Sequence, residues 1–182
     1  FKAQEIANMF WASGKLHRRG APVAPFLEIL PILSEVAVQQ ADAMIPQHIA
    51  NVVWGIADLR NDALNADFGD DLMALLATET VKKVRRWTAR EIALDLPLIA
   101  YVFARLQNKQ QALLTAIAST LSSQGKLELT NDWGVCALTW SFTDVFPDAE
   151  FSDFRERLRA EVGRRGLSEE MVSRSQFGPD EW

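Results

Sequence analysis

The sequence predicts an all-α fold, and three observations support that prediction. Apolar residues recur at three- and four-residue spacing over most of the chain, whereas a period-two alternation of strand length is hard to find. Proline and glycine separate segments of roughly 10 to 17 residues, which is an ordinary length for a helix. A motif also recurs along the chain, which indicates stacked helical units.

Eight segments carry the helical pattern, and they alternate between two classes. Segments of the first class, helix A, cover 3–16, 47–60, 98–107 and 133–145. Segments of the second class, helix B, lie after them at about 26–40, 70–86, 110–123 and 152–165. Pro46 suits the first turn of a helix and Gly166 suits a helix C-cap. Pro31 falls inside an apolar stretch and predicts a helix start or a kink there.

The helix A segments contain the internal repeat. QEIANMFWASGKL (4–16) aligns with QHIANVVWGIADL (47–59) at a shift of 43 residues, and weaker copies lie at 96–106 and 135–145. One column of this alignment holds an aromatic residue in every copy: Trp11, Trp54, Tyr101 and Trp140. We interpret this aromatic column as core packing and expect its members to be buried between successive units.

Helix pairs of this kind cannot bury their apolar faces alone, so they stack on their neighbours. The sequence therefore predicts an α-solenoid of about four helix-turn-helix repeats, each an antiparallel helix pair. The expected units are about 1–44, 45–90, 91–128 and 129–165 within a single domain, 1–165. Residues 166–182 would then form a C-terminal cap or a tail.

The repeated pattern Gln-x-Ile-Ala-Asn-x-x-Trp, at 4–11 and 47–54, resembles the first helix of octotricopeptide repeats. Those repeats occur in organellar RNA-processing and translation factors, and related repeats accompany RAP domains. The resemblance implies a stacked helical fold, RNA binding or RNA metabolism, and a location in a chloroplast or mitochondrion. Without it, we expect a cytoplasmic location.

Composition argues against several functional classes. The single cysteine, Cys136, excludes an internal disulfide framework and a Cys-rich zinc site, and two histidines leave little for a His-based metal site. The chain lacks an apolar run of the ~18 residues that a membrane-spanning helix needs. We therefore expect no metal, no cofactor, no small-molecule substrate and no transmembrane segment.

Individual residues that suggest chemistry have simpler interpretations. Asp67-Phe68-Gly69 spells the metal-binding motif of protein kinases, but the other kinase motifs are missing, so we expect a helix-entry turn. His48 is expected to be an exposed polar residue of a first helical turn. Cys136 shares a column with Ala7 and is expected to be a small buried hydrophobe. We therefore predict that the chain is not an enzyme.

Candidate contact residues come from helix A. Asn8 and Asn51 occupy one column, and an amide there could read a base edge or bond to the adjacent unit. A second column alternates in charge, which suits ion pairs between units better than a phosphate track. Its members are Lys15, Asp58, Arg105 and Asp144.

Basic clusters lie at predicted helix ends, where they match the helix dipole or form a discontinuous basic rim. They comprise Arg18–Arg19, Lys82, Lys83, Arg85, Arg86 and Arg164–Arg165. The net charge of −5 arises entirely from residues 132–182, which carry 6 Lys and Arg against 11 Asp and Glu.

Two ligand hypotheses follow. The repeat favours single-stranded RNA, whereas the acidic C-terminal end favours a protein partner, with the chain as a scaffold or accessory subunit of an organellar ribosome or membrane complex.

Overall fold

The computed structural model describes residues 1–22, 24–60, 68–123 and 125–177. In these four ranges the chain is helical and forms no strand. The predicted all-α class is therefore confirmed.

The α-helices fall on the predicted segments, mostly with small differences at their ends, but α5 begins nine residues before the predicted 98–107 because the Thr88–Glu91 capping box starts it at Ala89. Eight of them have nine residues or more: α1 (Ala3–Arg18), α2 (Ala24–Gln40), α3 (Pro46–Arg60), α4 (Asp70–Lys83), α5 (Ala89–Arg105), α6 (Gln111–Leu121), α7 (Asp132–Trp140) and α8 (Ser152–Arg165). A short helix, α9 (Glu169–Arg174), follows in the segment predicted to be a cap or tail. A π-helical turn, Ser141–Val145, extends α7.

Local sequence signals explain many helix ends. Pro46 is the first residue of α3, as predicted, and Gly166 ends α8 in the left-handed conformation at φ 67°. Thr88 caps α5 by accepting from the backbone N–H of Glu91, whose carboxylate accepts from the Thr88 N–H in return. Pro31 neither starts nor ends a helix, because α2 runs continuously through it.

The chain divides into two compact units, Phe1–Lys82 and Lys83–Trp182. The first contains α1 to α3 and nearly all of α4. The second contains α5 to α9. Each unit is described below by itself.

In the first unit, α1 packs directly along α3 at a crossing of two glycines. A Cβ atom on Gly55 would lie 2.3 Å from the carbonyl oxygen of Phe10, and one on Gly14 would lie 3.0 Å from the Cα atom of Gly55. Only residues without a side chain permit so close an approach of two backbones. Gly14 also faces the Cβ atom of Asp58. Phe10 contacts Gly55, and Gly14, one turn later on α1, contacts Asp58, one turn later on α3. The two helices therefore run in the same direction.

In the second unit, α5 and α7 pack in the same manner. A Cβ atom on Gly134 would lie 3.2 Å from the Cβ atom of Pro97, and the rings of Tyr101 and Trp140 lie 5.8 Å apart between centroids. The later residue of α5, Tyr101, contacts the later residue of α7, Trp140, so α5 and α7 also run in the same direction. Pro97 lies inside α5 and is fully covered by this packing.

The helices that follow them in the second unit, α6 and α8, are tied by polar contacts. Thr115 on α6 contacts the carboxylate of Glu150 just before α8, and Arg157 on α8 donates to the carbonyl oxygen of Ser122 at 3.1 Å. A salt bridge of 2.9 Å joins Lys109 to Asp148, the segments that precede the two helices. These contacts also advance together along the chain, which indicates a parallel arrangement.

We predict that Gly55→Ala destabilises the protein by roughly 1–3 kcal/mol, because the new methyl group overlaps the Phe10 backbone and the helices must separate. Urea unfolding at neutral pH measures this change. Gly163→Ala is the matched control, because a Cβ atom there meets no atom within 4 Å. That control should stabilise α8 by roughly 0.5–1 kcal/mol through helix propensity. Equal effects of the two substitutions would contradict the close crossing.

Candidate functional site

The aromatic column is not uniformly buried. Trp54 is 3% exposed and Tyr101 is fully buried, whereas Trp140 is half-buried and Trp11 is 43% exposed. The expectation of burial is therefore wrong for Trp11. The difference has a physical cause, since α1 covers α3 while the equivalent face of α1 itself is open to solvent.

Side chains of α1 cover Trp54. The ammonium of Lys15 lies 5.8 Å from the Trp54 ring centroid, and the guanidinium carbon of Arg18 lies at the same distance. Both distances are typical of cation–π contacts. Lys15 also lies 5.9 Å from the ring of Trp11, so its cation reaches both tryptophans.

Asp58 contributes the negative charge of this cluster. Its side chain is fully buried, and its Oδ2 atom lies 3.9 Å from Nη1 of Arg18. Burial lowers the pKa of Lys15, the neighbouring Arg18 lowers it further, and Asp58 opposes both. Asp58 of the alternating charge column thus forms an ion pair with Arg18 of α1, and Lys15 of the same column lies within its electrostatic influence.

Four carboxamides lie on the open surface of α1 and α3. Gln4, Asn8 and Gln47 are exposed and Asn51 is half-buried. Within each helix the two amides are four residues apart and share a face. Because α1 and α3 run in the same direction close to the repeat register, equivalent residues face the same way. We call these four residues the amide surface.

Only half of the amide surface was foreseen from the sequence. Asn8 and Asn51 were singled out, whereas Gln4 and Gln47 were recognised as repeat matches and not as contact residues. Their signal was present, since both precede an asparagine by four residues in the two best-matched copies.

The remaining candidates lie elsewhere. Lys82 and Lys83 end α4, and Arg85 and Arg86 are exposed in the 3-10 turn that follows. The ammonium of Lys82 contacts the buried carboxylate of Glu79 at 2.7 Å. Arg105 is the last residue of α5 and belongs to the second unit. The structure therefore brings Asn8, Lys15 and Asn51 onto one helix pair and does not show Arg105 joining them.

The third basic cluster has a structural role. Arg164 and Arg165 both donate to the carboxylate of Glu161, which is buried. Arg165 binds the turn before α7 as well, through the carboxylate of Asp132 (2.9 Å) and the carbonyl oxygens of Thr130 (2.7 Å), Glu128 (3.0 Å) and Leu127 (3.4 Å). The Arg165 guanidinium therefore connects α8 to this turn. Because its donors already have acceptors, it is a poor candidate for holding phosphate.

The second unit is also stabilised by an aromatic cluster. The repeat predicts two of its members, Tyr101 and Trp140, and does not predict Trp133. Tyr101 contacts Trp133 edge-to-face, with centroids 5.5 Å apart, in addition to Trp140. Its hydroxyl donates to the carbonyl oxygen of Gln176 at 2.9 Å. The segment after α9 therefore packs back on α5, as a cap would.

The residues that suggested chemistry are in unreactive settings. Cys136 is fully buried, and burial raises the pKa of its thiol to about 11, so the thiol stays protonated at neutral pH. Burial lowers the pKa of His48, which is half-buried rather than exposed as expected. Phe68 and Gly69 form a turn before α4, whereas Asp67 lies outside the described residues.

Within the described ranges, no group of three or more His, Cys, Asp or Glu side chains is placed to hold a metal ion. None of the helices in those ranges combines the length and apolar character needed to cross a bilayer.

No protein-family model matches the chain, and neither a curated protein nor a solved structure matches it. Function is therefore inferred from the residues and their arrangement.

We predict a large difference between two tryptophans that occupy the same column. Trp54→Ala removes a buried indole and should cost ~3–5 kcal/mol. Trp11→Ala removes a side chain that is already 43% exposed and should cost less than half as much. Thermal and urea unfolding of both variants measures the difference, and similar losses would contradict the covering of Trp54 by α1.

We also predict an acid-sensitive contribution from Glu161. Hydrogen bonds from Arg164, and then from Arg165, lower the pKa of its carboxyl from 4.5 to about 2 against the opposing effect of burial. Because the pKa is lower in the folded state, this stabilisation is complete above pH 4.5 and is lost as the pH falls through 2. Because the Arg164 side chain is 60% exposed and solvent screens the pair, we expect this shift to contribute roughly 1–2 kcal/mol.

Glu161→Gln should therefore cost roughly 1–2 kcal/mol at pH 7, and the deficit should shrink as the pH falls from 4.5 to 2. Urea unfolding at a series of pH values measures it. Glu156→Gln, an exposed position on the same helix, is the control and should change little at any pH. A deficit for Glu161→Gln that stays constant with pH would show that the ion pair is not its cause.

Proposed function

We propose that this protein is a non-catalytic helical-repeat protein that binds single-stranded RNA on the amide surface of α1 and α3. The observation that carries the proposal is the placement of carboxamides at repeat-equivalent positions of two parallel helices, where Gln4, Asn8 and Gln47 are exposed and Asn51 is half-buried.

The proposal includes a stacked repeat architecture. In each compact unit, the two helix A segments lie against each other in the same direction, α1 with α3 and α5 with α7. The contacts between α1 and α3 join residues 36 to 45 positions apart, and those between α5 and α7 join residues 32 to 39 positions apart, ranges that include the sequence shifts of 43 and 39. Packing that follows the repeat register supports a solenoid in preference to an irregular bundle.

Carboxamides suit nucleobases because each has donors and an acceptor in one plane. Asparagine and glutamine can form paired hydrogen bonds with an adenine edge. Helical-repeat RNA binders read one base per repeat with two or three side chains. The amide surface offers two such side chains per helix, and packed helices are spaced by ~8–10 Å, which splayed bases of an extended strand can follow.

Cations on the same helix pair would hold the phosphates, and the basic cluster at the end of α4 is a separate candidate for phosphate contacts. Lys15 and Arg18 lie near the C-terminal end of α1. Both side chains are half-buried and so remain partly accessible to solvent. Lys82, Arg85 and Arg86 are exposed. The octotricopeptide resemblance agrees with this function and implies an organellar location.

A second candidate function, a scaffold for a protein partner, is favoured by the charge distribution. Residues 1–82 carry 6 Lys and Arg against 10 Asp and Glu. Several cations already contact carboxylates: Arg18 with Asp58, Lys82 with Glu79, and Arg165 with Glu161. A partner protein that recognises exposed amides and apolar side chains would not require a basic surface.

Binding of the purified protein to labelled single-stranded RNA 12-mers separates the two functions. We expect Asn8→Ala and Asn51→Ala each to reduce the preference between bases, by ~1–3 kcal/mol for an amide that contacts a base edge. Gln39→Ala, an exposed amide on α2, is the matched control and should bind as the parent does. Fluorescence anisotropy with adenine-, uracil- and cytosine-rich strands measures the preference.

Replacing Lys82, Lys83, Arg85 and Arg86 with Gln should weaken RNA binding for all strands. It should also flatten the dependence of log K on log salt by ~0.7 for each phosphate contact that is lost. A titration from low to physiological salt measures this slope. Negligible salt-dependent binding by the parent protein would reject the RNA function and leave the scaffold function as the better candidate.

A further inference from the structure

We propose that Thr88, at the start of α5, is a phosphorylation site for an arginine-directed protein kinase. Two adjacent arginines, Arg85 and Arg86, lie three and two positions before this threonine. Protein kinases select their substrates largely by the charges that flank the target hydroxyl, and an acidic substrate groove is complementary to an arginine pair in this place. The site lies in the second unit, whereas the amide surface belongs to the first.

This arrangement of charges is rare in the chain. Two serine or threonine residues of the full sequence have an arginine three positions before them: Thr88 follows Arg85, and Ser168 follows Arg165. Thr88 alone has a second arginine two positions before it. Ser168 is therefore a comparison site within the same molecule.

The groups that a kinase would recognise at Thr88 are accessible. Thr88 and the two arginines before it, Arg85 and Arg86, are all exposed to solvent. Within the described part of the chain, neither of these guanidiniums forms a hydrogen bond or an ion pair. Both are therefore available to carboxylates of another protein.

The arginines before Ser168 are placed differently. Arg164 and Arg165 both donate to the buried carboxylate of Glu161, and Arg165 also binds the turn before α7. A kinase could use them only by breaking these contacts. Ser168 is exposed and caps α9 much as Thr88 caps α5, so the two sites differ mainly in whether their arginines are already bound.

The backbone at the site is already extended, as a substrate segment in an enzyme groove must be. Trp87 has φ −71° and ψ 143°, and Thr88 has φ −66° and ψ 159°. The arginines lie in the 3-10 turn Val84–Arg86, whose hydrogen-bond geometry is poorer than that of an α-helix, so the turn opens more easily. The Thr88 hydroxyl donates to Oε2 of Glu91 at 2.8 Å, an exposed contact that breaks at small cost.

The reaction is transfer of the γ-phosphoryl group of Mg-ATP. A bond forms between Oγ1 of Thr88 and the γ-phosphorus, the bond from that phosphorus to the bridging oxygen of ADP breaks, and the hydroxyl proton passes to the catalytic aspartate of the kinase. The product carries a charge of about −1.5 to −2 beside Arg85 and Arg86. Where the basic cluster at the end of α4 contacts RNA, this charge weakens RNA binding, a consequence that alone rests on the proposed function.

The test incubates the folded whole chain with Mg-ATP and the catalytic subunit of cyclic-AMP-dependent protein kinase. Intact-mass and peptide mass spectrometry should show a single phosphoryl group, located on Thr88, with Ser168 modified at least about tenfold more slowly because its arginines are bound. Thr88→Ala should abolish this incorporation, and Thr88→Ser should retain it. The assay contains no RNA, so failure of this proposal and failure of the RNA function are distinguishable.

Variants of the flanking cations test the recognition. Replacing both Arg85 and Arg86 with Ala should lower kcat/KM of the kinase for this substrate at least about tenfold, as for the loss of charge-assisted hydrogen bonds. Lys82→Ala is the matched control, because it removes an exposed cation of the same basic cluster six positions before Thr88. Its kcat/KM should change by less than about twofold. Circular dichroism melting of each variant ensures that folded proteins are compared.

Four results would overturn the proposal. The first is an absence of phosphate on Thr88, and the second is incorporation that appears only after the chain is heat-denatured. The third is phosphorylation of Ser168 as fast as that of Thr88, because free guanidiniums would then not select the site. The fourth is a double variant of Arg85 and Arg86 that is phosphorylated as fast as the parent.

Discussion

The crossing of α1 and α3 at Gly14 and Gly55 determines what the first unit can present to a ligand. Two helices that touch backbone to backbone have one permitted rotation about their axes, because any side chain at the crossing would push them apart. That rotation turns Trp54 and Asp58 beneath α1, and it leaves Gln4, Asn8 and Gln47 exposed and Asn51 half-buried. A substitution at either glycine would therefore alter the amide surface together with stability.

Residues that match in a repeat need not have matching surroundings. Trp11 and Trp54 share a column, yet one is exposed and the other is buried, since burial depends on which helix lies next to each copy. The alignment of the repeats defines equivalence and contains no information about neighbours. For this reason the sequence predicted the helices, their approximate ends and the aromatic column, and it was wrong about the burial of Trp11.

Long-range contacts were the other limit on prediction. Gly14 and Gly55 occupy different columns of the repeat, so nothing in either copy marks them as partners. Arg164 and Arg165 had two interpretations from the sequence, a solvated helix end or a basic rim. The structure shows a third arrangement, because the carbonyl oxygens that Arg165 contacts lie about 35 residues earlier in the chain. By contrast, the caps at Pro46 and Gly166 were predictable, since their signals are local.

The two compact units use the same helix pattern for different purposes. The columns that hold Gln4 and Asn8 in the first unit hold Leu94 and Leu98 on α5, and Trp133 and Ala137 on α7. Trp133 and Ala137 are buried, and Trp133 contacts Tyr101. Positions that present amides on α1 and α3 therefore contribute to the core on α7. The amides of these columns are therefore found only in the first two copies of the repeat, while the fourth copy uses the same columns for the aromatic cluster of the second unit.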